Sequence, residues 1–232
     1  MKDYLKKGLD LNKIEYNKEQ IDLLMKYMKI ILMENEKLNL TAITDEKEFI
    51  EKHLIDCALA VKYIDSGKVL DIGSGAGLPG IVIKILNEKC DVLLLDALNK
   101  RVKVLEKVIK ELGLTQISAI HGRAEELSKD KVYRENFDFV TSRAVAKFDM
   151  LLELSIPFLK VGGKFIALKG SKGEEEVSNS KKALDELNSS VSSIEKMTLP
   201  FSNSNRNIII TTKNAPTKKQ YPRSFKKIKK GF

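Results

Sequence analysis

Between residues 66 and 213, short apolar runs alternate with segments of helical character, and this alternation constrains the fold more than any other feature. The runs are largely apolar, without strict alternation of polar residues, as expected for parallel strands covered by helices on both faces. The five runs are KVLDIGS (68–74), DVLLLDA (91–97), ISAIHG (117–122), FDFVTSRA (137–144) and KFIALKG (164–170). The pattern predicts an α/β fold with a doubly wound, mostly parallel sheet.

Helices are predicted between these strands at about 78–88, 99–112, 124–131 and 147–160. Pro79 falls in a first helical turn, where proline is tolerated, and Gly162-Gly163 is expected to end the last helix. After a polar helix near 174–188, the stretches VSSIEKMTLP and NIIITTK predict two further strands. The expected total is therefore seven strands.

The first 65 residues predict a small helical cap. A helix is expected to follow Asn17, because Gln20 three residues later completes a capping-box pattern. A second helix is predicted from about Asp45 to Ile64. The chain is thus divided into an N-terminal helical cap (1–65), an α/β core (66–213) and a basic C-terminal tail (214–232).

Most of the excess positive charge lies at the C-terminal end. The net charge is +9, and residues 213–232 contain 8 Lys and Arg residues with no Asp or Glu. Tyr221 and Phe225 are interspersed among these cations, a combination that suits a polyanion such as RNA. The alternative is a disordered tail that only improves solubility.

Composition also excludes several classes. No apolar run approaches the roughly 18 residues of a membrane span, and the N-terminus lacks the apolar region of a signal peptide, which favours a cytoplasmic protein. The two cysteines, Cys57 and Cys90, lie 33 positions apart with no second pair, so the sequence suggests neither a zinc site nor a disulfide framework. We expect them to be small buried hydrophobic residues and expect no metal site.

The stretch VLDIGSGAGLPG after the first run matches two signatures. Gly75 to Gly80 fit the G-x-G-x-x-G of a dinucleotide-binding turn, whereas Asp71 to Gly77 fit the D-x-G-x-G-x-G of an S-adenosylmethionine site. Glycines there let the backbone approach a ligand closely. Asp96, at the end of the second run, is placed to accept hydrogen bonds from ribose hydroxyls, which both cofactors carry.

Three features favour the methyl donor. Asp71 would repel a pyrophosphate but could hold the ammonium group of S-adenosylmethionine. The two strands after the fifth run are compatible with the antiparallel last strand of methyltransferases. Glu125, in GRAEEL, follows the third run at the edge where an adenine would lie.

Eight stretches in this order form a further pattern: NLTAI (39–43), HLIDC (53–57), DIGSGAGLPG (71–80), LDALNKR (95–101), RAEE (123–126), TSRAVA (141–146), ALKG (167–170) and YPR (221–223). With this set the sequence resembles a known family, the bacterial 16S ribosomal RNA guanine-N7 methyltransferases, also called glucose-inhibited division protein B. This resemblance implies a class I S-adenosylmethionine-dependent methyltransferase, with a Rossmann-like, mostly parallel seven-stranded sheet and an N-terminal helical cap. The implied partner is 16S rRNA in the small ribosomal subunit, and we expect a monomer.

The resemblance implies two sets of site residues. The cofactor set is Gly73, Leu78, Ala124, Glu125 and Arg143, to which the ribose argument adds Asp96. The set that positions the substrate is Asn39, His53, Arg143, Lys169 and Arg206. Each substrate residue has a plainer alternative: Asn39 a turn residue, His53 a satisfied core histidine, Arg143 a solvated arginine at the strand edge, and Lys169 and Arg206 ordinary surface cations.

The implied chemistry requires no catalytic base, because N7 of guanine already carries an in-plane lone pair. Catalysis should come from alignment and a suitable electric field. Two rival functions stay open from the sequence: an NAD(P)-dependent oxidoreductase, motivated by GAGLPG, and a non-catalytic RNA-binding module.

Overall fold

The computed structural model describes residues 1–143 and 146–232, so the last residue of the predicted strand 137–144 and the middle of TSRAVA lie outside the described residues. Seven strands form one sheet. They are β1 (Gly67–Ile72), β2 (Cys90–Asp96), β3 (Ile117–His121), β4 (Phe137–Arg143), β5 (Leu159–Lys169), β6 (Ser189–Thr198) and β7 (Asn205–Lys213).

The strand order is β3-β2-β1-β4-β5-β7-β6. Strands β1 to β5 pair in parallel, while β7 runs antiparallel to both β5 and β6. The chain leaves β1 on one side towards β2 and β3 and returns to its other side at β4. This confirms the predicted doubly wound sheet with an antiparallel strand near its end.

The helices are α1 (Lys2–Leu11), α2 (Lys18–Leu38), α3 (Glu46–Phe49), α4 (Asp56–Ala58), α5 (Gly80–Leu86), α6 (Asn99–Leu112), α7 (Ala124–Leu127), α8 (Phe148–Ser155), α9 (Gly173–Ser178), α10 (Lys181–Glu186) and α11 (Phe225–Ile228). In the parts of the chain that the structure describes, no helix is long and apolar enough to cross a membrane.

The cap contains the predicted helix α2, whose capping box is formed as expected: Asn17 accepts from the Gln20 amide, and Gln20 accepts from that of Asn17. Helix α1 precedes it and was not predicted. The second predicted helix is irregular, because α3 and α4 are joined by a π-helical stretch (Ile50–Ile55) and followed by a 3-10 turn (Leu59–Tyr63). Such π-helical turns are frequent at functional sites.

Two predictions in the second half of the core were wrong. Gly162-Gly163 does not end a helix: α8 stops at Ser155, a 3-10 turn follows, and the glycines lie inside β5. Gly162 has a φ of +84°, and the pairing of β4 with β5 shifts register nearby. The two glycines therefore lie at an irregularity of strand β5. The single polar helix predicted near 174–188 is two short helices, α9 and α10.

Two apolar layers enclose the sheet. One joins residues of α1, α2, the π-helical stretch, α5 and α6 to one face of the strands, so the cap packs continuously with that layer. The other joins α8 and α10 to the opposite face and includes Tyr221 and Ile228 near the C-terminus. Residues 214–232 therefore pack against the core, which does not fit a disordered tail. The predicted domain division at 65 and 213 stays a prediction.

Candidate functional site

The carboxyl ends of β1, β2 and β4 meet at one edge of the sheet, where the strand order reverses between β1 and β4. In doubly wound folds this crevice is the usual ligand site. The loop between β1 and α5 lies in it, because the backbone amides of Gly73 and Ser74 both donate to the Leu95 carbonyl, at 2.8 and 3.1 Å. The glycine loop is thereby tied to the end of β2.

The loop uses left-handed backbone conformations that favour glycine. Gly73, Gly75 and Gly77 have φ values of +69°, +57° and +97°. A Cβ atom built on Gly75 would meet only the Gly73 carbonyl oxygen, at 3.8 Å, so it would project into open space. The loop therefore offers bare backbone at the crevice, which fits a ligand that lies close against the chain.

Asp96 closes the loop from the β2 side. One carboxylate oxygen accepts from the Gly75 amide at 2.9 Å, and the other accepts from the Leu98 amide at 2.8 Å. Asp96 is 3% exposed, and Arg101 Nη1 lies 3.6 Å from its Oδ2; each carboxylate oxygen has a second acceptor position by its chemistry. The geometry thus fits the predicted ribose role and adds a second one, the bracing of Gly75.

Asp71 does something different from what we expected. Its carboxylate is fully buried and accepts from the Gly80 amide at 3.0 Å and from Thr141 Oγ1 at 3.2 Å. Burial raises the pKa of Asp71 to about 6. The carboxylate is occupied beneath the loop and is not exposed towards an ammonium group, so the argument from ammonium binding was wrong. Asp71 instead fixes the start of α5.

The turn after β3 forms the side of the crevice where the sequence predicts the adenine. The Gly122 amide donates to the Asp96 carbonyl at 3.1 Å, which places the start of α7 beside the end of β2. Ala124 and Glu125 are buried there, and Arg123 Nη1 lies 3.8 Å from Glu125 Oε1. With Gly73 and the buried Leu78, the predicted cofactor residues other than Arg143 therefore lie along one edge.

Arg143, at the end of β4, points instead into a polar cluster that joins the cap to the core. Its Nη1 donates to the Lys52 carbonyl at 2.9 Å and to Asp56 Oδ2 at 3.4 Å. The other oxygen of Asp56 accepts from Arg206 Nε at 3.0 Å. One carboxylate from the cap thus holds two arginines from β4 and β7, and burial raises the pKa of Asp56 although both guanidinium groups oppose that change.

His53 completes this cluster. Its Nδ1 lies 2.9 Å from the Lys52 carbonyl oxygen and 3.2 Å from both terminal nitrogens of Arg143. A carbonyl oxygen can only accept and a guanidinium can only donate, so Nδ1 lies between two groups with opposite demands, while Nε2 shares a hydrogen bond with Thr41 Oγ1 at 2.7 Å. Burial and the Arg143 charge lower the pKa of His53 to about 4, so the ring is neutral at neutral pH.

The remaining two predicted residues lie in contrasting places. Asn39 is exposed and ends α2 in a left-handed conformation, with φ of +47°. Lys169 is buried, and its Nζ contacts Glu176 Oε2 at 2.7 Å and the Ala146 carbonyl oxygen at 2.8 Å. Lys169 is therefore not a surface cation; it ties Ala146, shortly before α8, to the end of β5.

Sequence reasoning missed three residues of this region. Asp56 stands three positions after His53, a helical spacing that places both side chains on one face and was the available signal. Thr41 lies within NLTAI and contacts His53. Tyr27, fully buried in α2, donates to the Ala76 carbonyl at 2.8 Å and so ties the cap to the glycine loop. Nothing in the sequence around Tyr27 indicates this contact.

In the described ranges 1–143 and 146–232, no group of three or more His, Cys, Asp or Glu side chains is placed to hold a metal ion. Cys57 and Cys90 are free and buried, as predicted.

Comparison with known proteins identifies the family. The model of the family described as rRNA small subunit methyltransferase G matches residues 20–209. A protein of Clostridium perfringens (strain 13 / Type A) with the name ribosomal RNA small subunit methyltransferase G is 42% identical over 224 residues, 95% of this chain and 94% of that one. A Thermoanaerobacter sp. (strain X514) protein of the same name is 46% identical over 203 residues, 85% of this chain and 84% of that one.

A solved structure described as a SAM dependent methyltransferase from Aquifex aeolicus has a TM-score of 0.54 and 17% identity, covering 78% of this chain and 98% of that one. This likeness concerns the fold alone, which agrees with the predicted class. The family match and the two relatives together show that the chain belongs to the rRNA small subunit methyltransferase G family.

Proposed function

We propose that this protein transfers a methyl group from S-adenosylmethionine to N7 of one guanine in 16S ribosomal RNA. The observation that carries the proposal is a bare glycine loop, braced by Asp96 at the switch point of the sheet, in a chain of this family. Methyl transfer is favoured over an oxidoreductase and over a non-catalytic RNA-binding module, because the relatives that align with most of this chain are named as methyltransferases.

The bound donor supplies an activated methyl group on a positively charged sulfur. Gly73 and Leu78 line the loop side of its pocket, while Ala124 and Glu125 line the adenine side. Asp96 accepts from the ribose hydroxyls through the acceptor positions that Gly75 and Leu98 leave open. These residues hold and orient the donor and move no proton.

The acceptor chemistry explains why no catalytic base is needed. N7 of guanine would attack the methyl carbon through its own lone pair while the carbon–sulfur bond breaks, so a neutral thioether leaves and the positive charge passes from sulfur to the imidazole ring of the base. The protein's contribution is to hold this base in line with the donor and to exclude water. His53 fits this view, because its lowered pKa and its bonds to Thr41 and Arg143 make it a neutral structural group.

The substrate side is formed by the cap together with the strand ends. Asn39 is exposed and can contact a base edge, whereas Arg143 and Arg206, aligned by Asp56, can contact phosphate or the base. Lys169 acts indirectly by positioning the segment after β4. The guanine must leave its stack to reach this crevice. The protein acts as a monomer on RNA of the small ribosomal subunit, in the cytoplasm.

The test is to map N7-methylguanine in 16S rRNA incubated with the protein and S-adenosylmethionine, against a sample without protein. One new N7-methylguanine is expected, and its absence with RNA bound would contradict the proposal. Thermal unfolding supplies a control for the cofactor, since S-adenosylhomocysteine should raise Tm and NAD(H) should not.

A further inference from the structure

The C-terminal segment is folded onto the core through one buried charge pair. Glu153 of α8 is fully buried, and its carboxylate accepts from Arg223 Nε at 2.9 and 3.0 Å and from Nη2 at 2.6 Å. It also accepts from the backbone amide of Arg223 at 2.7 Å. A buried carboxylate needs such a partner, so Glu153 fixes where residue 223 lies.

Further contacts hold the segment on either side of this pair. Arg134 donates to the carbonyls of Thr217 and Tyr221, both at 3.0 Å. Beyond Arg223, Ile228 is buried in the second apolar layer, and the Arg223 guanidinium lies 4.2 Å from the centre of the Phe232 ring. The segment is therefore anchored along its length.

The docked segment reaches the cofactor edge of the sheet. The guanidinium of Arg123 lies 5.6 Å from the centre of the Phe225 ring, so α11 sits against the turn that leads into Ala124 and Glu125. The exposed residues of α11 and its end are lysines, Lys226, Lys227, Lys229 and Lys230. In the part of the chain that the structure describes, none of these four forms a salt bridge, whereas Lys218 and Arg223 do.

We propose that residues 214–232 form a docked phosphate-binding surface beside the methyl-donor pocket, with Glu153 as the residue that positions it. Its partner is the RNA backbone, because unpaired, closely spaced ammonium groups beside the crevice match a row of phosphates. The inference rests on the proposed function and adds to it: the surface guides the strand that flanks the target guanine, and its placement depends on a side chain that never touches RNA.

The test compares two triple variants by the salt dependence of 16S rRNA binding. One is Lys226→Gln, Lys227→Gln and Lys230→Gln. The other, a matched control, is Lys13→Gln, Lys62→Gln and Lys89→Gln, three exposed lysines around one opening far from the carboxyl ends of the strands. The first should lower the slope of log affinity against log salt by about 2, at roughly 0.7 to 0.9 for each phosphate that is no longer neutralised. The control should keep the native slope, and equal slopes for the two variants would overturn the proposal.

The positioning role is tested with Glu153→Gln and, from the exposed side of the pair, with Arg223→Gln. Each should speed hydrogen exchange of residues 221–231, reduce the salt slope towards that of the first triple variant, and raise KM for RNA by a larger factor than it lowers kcat. Native exchange in both variants would overturn it. Failure of the proposed function would give a different result: the native protein would bind RNA with its usual slope of log affinity against log salt but would transfer no methyl group.

Discussion

Two walls of the crevice are built on different principles. One wall, which we propose binds the donor and call the donor wall, is made of backbone: Gly73, Gly75 and Gly77 turn sharply, and the buried carboxylates of Asp71 and Asp96 accept from the backbone amides of Gly80 and Gly75. The other, which we propose faces RNA and call the RNA-facing wall, is made of side chains, where Asp56 of the cap holds Arg143 of β4 and Arg206 of β7.

The difference explains how each wall can fail. The donor wall depends on φ angles and close packing within about 25 residues of sequence, so small steric changes should damage it. The RNA-facing wall depends on charges that come from segments about 90 and 150 positions apart. It should respond to loss of charge at the shared carboxylate more than to small changes of shape.

The largest expected effect is a loss of affinity for the donor product, S-adenosylhomocysteine, with little change in RNA binding. Asp96→Ala removes the hydrogen bonds from the Gly75 and Leu98 amides and those proposed for the ribose hydroxyls, so S-adenosylhomocysteine affinity should fall about 100-fold. Binding of 16S rRNA should change less than threefold. Titration calorimetry measures the affinity for S-adenosylhomocysteine, and filter binding measures the affinity for 16S rRNA. An equal loss of both affinities would contradict the division into two walls.

Packing of the donor wall is tested with Gly80→Ala. The new Cβ would lie 2.3 Å from Leu94 Cδ2 and 2.9 Å from Asp71 Oδ2, so the free energy of unfolding should fall by about 2 to 3 kcal/mol. Denaturant unfolding measures this. Gly170→Ala is the control, because nothing lies within 4 Å of its added Cβ, and a similar loss there would contradict the steric explanation.

The charge on the RNA-facing wall is tested by pH. The pKa of His53 is about 4 in the folded protein and about 6.5 in the unfolded chain, so the unfolded state takes up the proton first as pH falls. The stability it contributes is complete above pH 6.5 and is lost towards pH 4.

Relative to His53→Gln, the native protein should lose about 2 kcal/mol of unfolding free energy between pH 7 and pH 5. The comparison cancels the opposite contribution of Asp71, whose raised pKa lies in the same range in both proteins. If the difference in unfolding free energy between the native protein and His53→Gln stays constant from pH 7 to pH 5, folding does not lower the pKa of His53.

The smallest effect concerns the shared carboxylate. Asp56→Asn keeps shape and one acceptor, and Arg143 and Arg206 are 16% and 21% exposed, so water screens part of the loss. We expect kcat/KM for RNA to fall about tenfold, equivalent to about 1.4 kcal/mol. Asp185→Asn, at an exposed acid of α10, should leave it unchanged.

The same contrast decides what could be predicted from the sequence. The seven strands and the glycine loop were predictable because apolar runs and glycine spacing are local signals. The Asp56 bridge was not, since nothing in the sequence links position 56 to positions 143 and 206. The ammonium role of Asp71 failed for a related reason: a motif shows that an acid is present, but its burial and its bonds to Gly80 and Thr141 depend on the folded sheet.

The most direct test of the two-wall account is a titration of Asp96→Ala and Asp56→Asn, side by side, with S-adenosylhomocysteine. The account predicts that Asp96→Ala loses most of its affinity while Asp56→Asn stays within about threefold of the native protein, since the interactions it removes lie on the other wall. A loss in Asp56→Asn as large as that in Asp96→Ala would contradict it.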